Sequence, residues 1–251
     1  MRFDKVFGLK NGKGLFLAYD HGIEHGPVED FIDKRSANPM LILSLVKDND
    51  LNGVALTPGI IMKFSEEIKD MNINVIAKIN SKTKMAFDQY FSPLTGSVEY
   101  LATKYENIKG IGYTIYFGSQ YEQEMIETFC MIRDIASEYD LFTFLWAYPR
   151  GKNIKKENDL NLLIYSARVG MELGADAVKI KSPDRVEDIN TIAEYLYKTK
   201  LFIAGGTKNE KFLEFAKKVY STKANGMIVG RNIWQDPDEG TKLIGEIKNF
   251  F

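Results

Sequence analysis

The sequence predicts a (β/α)8 barrel, and three observations carry that expectation. Eight short, β-rich apolar runs punctuate the chain, a helical pattern follows most of them, and the length is 251 residues. Eight strand–helix units in about 250 residues is the ordinary arithmetic of such a barrel. Strict alternation of strand and helix implies parallel strands joined by right-handed crossovers. An open, doubly wound sheet is the alternative. It usually has fewer strands, and no Gly-x-Gly-x-x-Gly follows the first run.

The strand runs are residues 15–19, 53–57, 74–79, 110–115, 141–148, 176–181, 201–204 and 226–229. Each is short and apolar, as a strand buried on both faces should be. The helical stretches are 39–47, 59–71, 97–105, 120–139, 160–173, 186–197, 210–220 and 239–250. No linker, low-complexity tract or break in composition interrupts them, so one domain spanning residues 1–251 is expected.

Composition excludes several classes of function. The formal charge is −1 and the pI about 6.2, which is no electrostatic footprint for nucleic acid or an anionic membrane. Lysines alternate with glutamates and aspartates and read as a solvated surface. No apolar run approaches the roughly 20 residues of a membrane span, and residues 1–7 lack a signal-peptide core. A cytoplasmic protein is expected. Cys130 is the only cysteine, which rules out an internal disulfide; its helical, apolar surroundings predict a small buried hydrophobe.

The most informative residue is Lys179, in Asp176-Ala177-Val178-Lys179-Ile180-Lys181. An ammonium in a buried strand costs several kcal/mol unless it is paired. Desolvation lowers its basicity and makes it a nucleophilic amine near neutral pH, suited to a Schiff base with a carbonyl substrate. Lys181, two residues on and so on the same side, competes for the role, and repulsion between the two would depress one pKa. Lys78, in the third run, competes as well. The strand pattern by itself leaves Lys179, Lys181 and Lys78 open.

Other candidates lie at the ends of the runs, where barrel enzymes keep their sites. The first run ends in Tyr19-Asp20-His21-Gly22-Ile23-Glu24-His25-Gly26-Pro27, which holds both histidines of the chain. Two histidines on a glycine-flanked loop are a weak metal signal, and a polar turn is the bland reading. The favoured reading points Asp20 and His21 into the site, to bind hydroxyls or relay protons. The fifth run ends in Trp146-Ala147-Tyr148-Pro149-Arg150. Trp146 and Tyr148 share a face, either as an aromatic core pair or as a wall and a proton-transfer group. Ala204-Gly205-Gly206 and Gly230-Arg231 end the last two runs. Small residues there let a ligand approach the backbone. Helices following both would add N-termini and free N–H groups beside a phosphate, and Arg231 a fixed cation.

Six segments in this order, Tyr-Asp-His-Gly-Ile-Glu-His-Gly-Pro (19–27), Gly-Tyr-Thr-Ile-Tyr-Phe-Gly-Ser (112–119), Trp-Ala-Tyr-Pro-Arg-Gly (146–151), Ala-Asp-Ala-Val-Lys-Ile-Lys (175–181), Ala-Gly-Gly-Thr-Lys (204–208) and Val-Gly-Arg-Asn-Ile-Trp-Gln (229–235), resemble the archaeal-type class I fructose-1,6-bisphosphate aldolases. The resemblance runs from about residue 15 to 235. It implies a (β/α)8 TIM barrel, a lysine Schiff base on the sixth strand, no metal, no cofactor, a sugar-phosphate substrate and a homo-oligomer. It further implies that Lys179 is the Schiff-base lysine, which decides among the three, and that Tyr148 transfers protons with Asp20 as a catalytic partner. His21, Trp146, Arg150 and Lys181 match substrate-contact positions. Ala204, Gly205, Gly206, Gly230 and Arg231 match a phosphate pocket. One departure is Ser182-Pro183-Asp184, where the family usually continues Tyr/Thr-Thr/Gly-Asp. The alternatives are a 2-amino-3,7-dideoxy-D-threo-hept-6-ulosonate synthase, which tends to carry Ser-Asn-Gly-Pro in place of Glu24–Pro27, and a non-catalytic sugar-phosphate-binding barrel, which would not need Lys179 and Tyr148 together.

Overall fold

The computed structural model describes residues 2–26, 31–86 and 89–251. Eight parallel strands close a barrel in chain order. They are β1 Gly14–Tyr19, β2 Gly53–Leu56, β3 Val75–Lys78, β4 Ile108–Phe117, β5 Phe142–Pro149, β6 Ala177–Ile180, β7 Lys200–Ala204 and β8 Gly226–Val229. Closure is made by β8 on β1, with Gly14 opposite Gly226 and Leu17 opposite Val229. All eight expected strands are present. The largest difference is in β4, which is longer at both ends; β3 and β6 are each one residue shorter at both ends, so β6 stops before Lys181.

The period of two along each strand sorts the core into two shells. Leu15, Leu17, Val54, Val75, Leu145, Val178, Leu201, Met227 and Val229 belong to the shell shared with the helices. Phe16, Ala18, Ala55, Ile76, Phe144, Trp146, Ala177, Phe202 and Ile228 fill the barrel interior. That phase decides what the site contains. Lys78 shares parity with Ile76, Tyr148 with Trp146, and Lys179 with Ala177, so these side chains also belong to the inner shell.

Helix Arg2–Phe7, absent from the sequence expectation, plugs the N-terminal end of the barrel. The Phe3 ring lies 5.0 Å from that of Phe142, and the Phe7 ring 5.4 Å from those of Phe16 and Phe144. Lys200 Nζ pairs with Asp4 Oδ1 at 2.7 Å beside this plug. Hiding each ring is worth roughly 1.5–3 kcal/mol.

The outer helices keep the expected order with altered limits. The stretch at 59–71 breaks at Phe64 into Pro58–Lys63 and Ser65–Asp70. The stretch at 186–197 is a 3-10 turn, Val186–Asp188, followed by Ile189–Glu194. Helices Pro39–Asp48, Val98–Lys104, Glu122–Glu138, Leu160–Glu172, Phe212–Tyr220 and Pro237–Lys248 complete the ring. Side-chain caps set several starts: Asp159 accepts from the N–H of Asn161 and of Leu162, and Asp236 accepts from Glu239 N. Cys130 is half-buried on Glu122–Glu138, not fully enclosed. No helix among the described residues is long and apolar enough to cross a membrane.

Candidate active site

A cavity of about 470 Å³ opens among the C-terminal ends of the strands, where parallel barrels gather their loops. The twelve residues to which the resemblance gave roles all line it: Asp20, His21, Trp146, Tyr148, Arg150, Lys179, Lys181, Ala204, Gly205, Gly206, Gly230 and Arg231; Lys78, the third lysine candidate, does not.

Lys179, on β6, is buried, 4% exposed, as is Lys78 at 3%. Lys179 Nζ stands 4.8 Å from the centroid of the Trp146 ring. Burial draws the Lys179 pKa down from 10.5 to about 8. The Asp20 carboxylate opposes that fall, and the Lys78 ammonium adds to it. A measurable fraction of the amine is therefore unprotonated near neutral pH.

Lys78 belongs to a different arrangement. Its Nζ donates to the Asn80 carbonyl and, at 2.9 Å, to Asn80 Oδ1. The Asn80 amide in turn donates to Ser92 O at 3.1 Å and Thr114 O at 2.9 Å, and its Oδ1 accepts from Thr114 N at 2.8 Å. The ammonium is thus held by fixed acceptors. It lies 5.7 Å from the Trp146 centroid, so one indole neighbours both buried lysines. Glycine at 112 makes room for that indole. A Cβ there would lie 2.7 Å from Trp146 Cζ3 and 3.2 Å from Lys78 Cδ.

Lys181 corrects one expectation. The strand ends at Ile180, and Lys181 stands on the rim with its side chain 39% exposed. Its ammonium is hydrogen-bonded to Glu157 Oε2. The cations that press on Lys179 are Lys78, from across the barrel, and Arg231, not Lys181 from two residues on.

Asp20 and His21 follow β1. Burial would raise the Asp20 pKa, but His21, Lys179 and Lys78 outweigh it and hold the carboxyl below its usual range. Burial brings His21 down to about 3, against the pull of Asp20. With that imidazole neutral at ordinary pH, the cations that keep Asp20 ionised there are the two lysines. His21 Nδ1 lies 3.3 Å from Asp20 Oδ1. The ring sits over Gly230, where a Cβ would come within 2.6 Å of His21 Cε1 and 2.9 Å of Ala18 O.

On β5, burial holds the Tyr148 phenol well above pKa 10, and the Asp20 and Glu24 carboxylates add to the effect. Arg150, one residue past the strand, stacks its guanidinium 5.2 Å over the Tyr116 ring. The Tyr116 hydroxyl donates to Glu24 Oε1 at 2.8 Å.

The opposite rim is built by β7 and β8. Gly206 has φ +72, a left-handed conformation that glycine adopts without strain. Asn232 ties the two loops together. Its amide donates to Gly205 O at 2.9 Å and Thr207 O at 3.1 Å, and its Oδ1 accepts from Asn209 N at 2.9 Å. Helices follow both glycine runs, as expected, but they do not bring two long helix N-termini to this rim. The helix after β7 begins only at Phe212, and the one after β8 is a single turn, Arg231–Trp234. The cradle therefore consists of loop backbone and Arg231, not two helix ends.

Glu24, Thr114, Glu157, Asn158, Thr207 and Phe215 also line the cavity. Glu24 lay inside the first motif, three residues past His21, but carried no signal beyond that motif. Glu157 sits in a charged loop that reads as solvated surface. Among the described residues no group of three His, Cys, Asp or Glu side chains could hold a metal ion.

The model of the DeoC/LacD family of aldolases matches residues 15–236. The chain belongs to that family. This aldolase sequence is 36% identical over 240 residues to the class 1 fructose-bisphosphate aldolase of Thermoproteus tenax, covering 94% of this chain and 89% of the relative. The class 1 enzyme of Halobacterium salinarum is 32% identical over 228 residues, covering 90% and 86%. Among solved structures, an archaeal fructose-1,6-bisphosphate aldolase, with its catalytic lysine covalently bound to the carbinolamine intermediate of its substrate, superposes with a TM-score of 0.91. It is 34% identical, covering 99% of this chain and 97% of that one.

Proposed function

We propose that this family member is a class I fructose-bisphosphate aldolase that cleaves fructose 1,6-bisphosphate reversibly through a Schiff base on Lys179. The observation that carries the reading is Lys179 itself. It is a buried amine with its pKa near 8, in one cavity with a carboxylate, a phenol and a glycine-and-arginine rim. The relatives named for this reaction support it.

In this reading the Lys179 amine attacks C2 of the open-chain sugar, and the carbinolamine loses water to give an iminium. The iminium nitrogen accepts the electrons of the C3–C4 bond as the C4 hydroxyl gives up its proton. Glyceraldehyde 3-phosphate departs and an enamine remains. Protonation of the enamine at C3, then hydrolysis, frees dihydroxyacetone phosphate and restores the amine.

Tyr148 is the proton-transfer group. Its phenol stays protonated at working pH, which suits it to donate to the enamine carbon. To act as the base at the C4 hydroxyl it must pass its own proton on. Asp20 is the carboxylate whose charge it feels most strongly. Asp20 also favours the iminium electrostatically, as it favours the Lys179 ammonium. His21 is a neutral hydrogen-bonding group, and Trp146 is the apolar wall beside the nucleophile. Ala204, Gly205, Gly206, Gly230 and Arg231 hold the phosphate next to the attacked carbonyl.

The reading includes a cytoplasmic homo-oligomer, checked by cell fractionation and sedimentation. The reaction is tested by incubating the purified enzyme with fructose 1,6-bisphosphate and following triose phosphates in a coupled assay. Steady release of both products is expected; a chain that releases neither is not this aldolase.

A further inference from the structure

Glu157 has no part in the chemistry above, yet its carboxylate accepts three hydrogen bonds at the cavity rim. Its carboxylate takes the Arg150 guanidinium in both teeth, with Nε to Oε1 at 2.8 Å and Nη2 to Oε2 at 3.0 Å. The same Oε2 accepts from the Lys181 ammonium. Two cations from neighbouring strand ends, β5 and β6, thus share one carboxylate. None of the three is sealed away: the side chains of Arg150, Glu157 and Lys181 are 26%, 31% and 39% exposed.

The loop that carries Glu157 is tied by side chains on both sides of it. Its neighbours Lys156 and Asn158 both donate to the Asp184 carboxylate in the loop after β6. Further back, Arg150 N donates to Phe117 O at 2.8 Å, and Gly151 packs so closely on Gly118 that a Cβ would fall 1.9 Å from its carbonyl. With the loop anchored, the group free to rearrange is the Glu157 side chain, which has three rotatable bonds.

We propose that Glu157 is a specificity-determining residue whose carboxylate holds, in the free enzyme, the place between Arg150 and Lys181 that a second phosphate of the substrate takes. The proposal rests on the aldolase reading, in which one phosphate lies against the β7–β8 rim and C2 is fixed at Lys179. The remaining carbons then extend toward the β5–β6 rim, where Arg150 and Lys181 stand. A phosphate dianion offers oxygens for the same forked guanidinium and the same ammonium, and brings more charge than a carboxylate. A neutral hydroxymethyl end has nothing with which to displace Glu157. The carboxylate therefore keeps two like charges facing the cavity when the site is empty. It also makes the second phosphate compete for them, so binding there is weaker and release faster than with bare cations.

The test compares Glu157→Gln with the unmodified enzyme on two substrates, fructose 1,6-bisphosphate and fructose 1-phosphate, with thermal melting to check the fold. The ratio of KM for the monophosphate to KM for the bisphosphate is expected to rise about fivefold, the scale of a partly screened charge pair. A falling KM for the bisphosphate should drive that change. A purely structural role for Glu157 would raise both KM values together. An unmoved ratio, or a bisphosphate KM that rises, overturns the proposal while leaving the aldolase reading intact. If the unmodified enzyme cleaves neither sugar, that reading fails and this proposal with it. Should Glu157→Gln unfold, Glu157→Asp keeps the charge one methylene short of spanning both cations, and the ratio should rise by less in the same direction.

Discussion

Lys179 Nζ lies 4.8 Å from the centroid of the Trp146 ring, and the indole's other neighbouring cation is Lys78 at 5.7 Å. The Lys179 amine is thus apolar on one side, with Asp20 the strongest charge acting on it. Burial leaves the amine able to lose its proton near pH 8. Asp20 keeps it from falling further, and in the proposed reaction the same carboxylate would stabilise the iminium that replaces the ammonium.

The pH dependence follows from that pKa. Attack on C2 needs the neutral amine. Below about pH 8 the rate of iminium formation should rise roughly tenfold per pH unit, then level off above it. Single-turnover trapping across pH 6–10 measures this. Lys78→Met removes a charge that lowers the Lys179 pKa, so its plateau should move to higher pH. A plateau near the ordinary lysine value of 10.5 in the unmodified enzyme would mean the amine is not desolvated in solution.

Gly112→Ala should destabilise the protein by about 1–3 kcal/mol, the cost of overpacking a filled core. The added Cβ falls 2.7 Å from Trp146 Cζ3, and the indole has a lysine at either hand. Denaturant unfolding checks it. Stability equal to the parent would show that the ring has room to move.

Arg231→Ala should weaken binding of the bisphosphate by roughly 1.5–3 kcal/mol, the range for a lost hydrogen bond to a charged group. Steady-state kinetics would report this as a raised KM. A KM equal to the parent's would remove Arg231 from the phosphate cradle.

Tyr148→Phe should fold, still form the Lys179 adduct, and lose about 10²–10⁴-fold in cleavage, the usual contribution of a general acid–base group. Single-turnover cleavage and trapping on the same variant separate the steps. Near-normal cleavage would reduce Tyr148 to an aromatic wall; a lost adduct would move its role earlier, to iminium formation.

What the sequence revealed follows from strand physics. A lysine in a buried strand, a period of two and glycines at strand ends are local signals, and they placed Lys179, Tyr148, Trp146 and Gly230 on the cavity. Period two misled at Lys181, because β6 ends one residue earlier and the side chain turns to Glu157. The lysine neighbouring Lys179 comes from β3, a pairing across the barrel that no local pattern encodes. Glu157 was hidden for a related reason: in a loop rich in Lys, Asn and Asp, only the distant anchor at Asp184 distinguishes it from solvated surface. Helix Arg2–Phe7 did leave a trace, since Phe3 and Phe7 are four residues apart on one face. Its role depends on the aromatic floor made by Phe142, Phe144 and Phe202 far along the chain.

The most direct test of Lys179 as the nucleophile is borohydride reduction in the presence of dihydroxyacetone phosphate, followed by mass mapping of the peptides. A single stable adduct on Lys179 is expected, absent from Lys179→Met. An adduct on Lys78 or Lys181 with Lys179 unmodified would contradict the account.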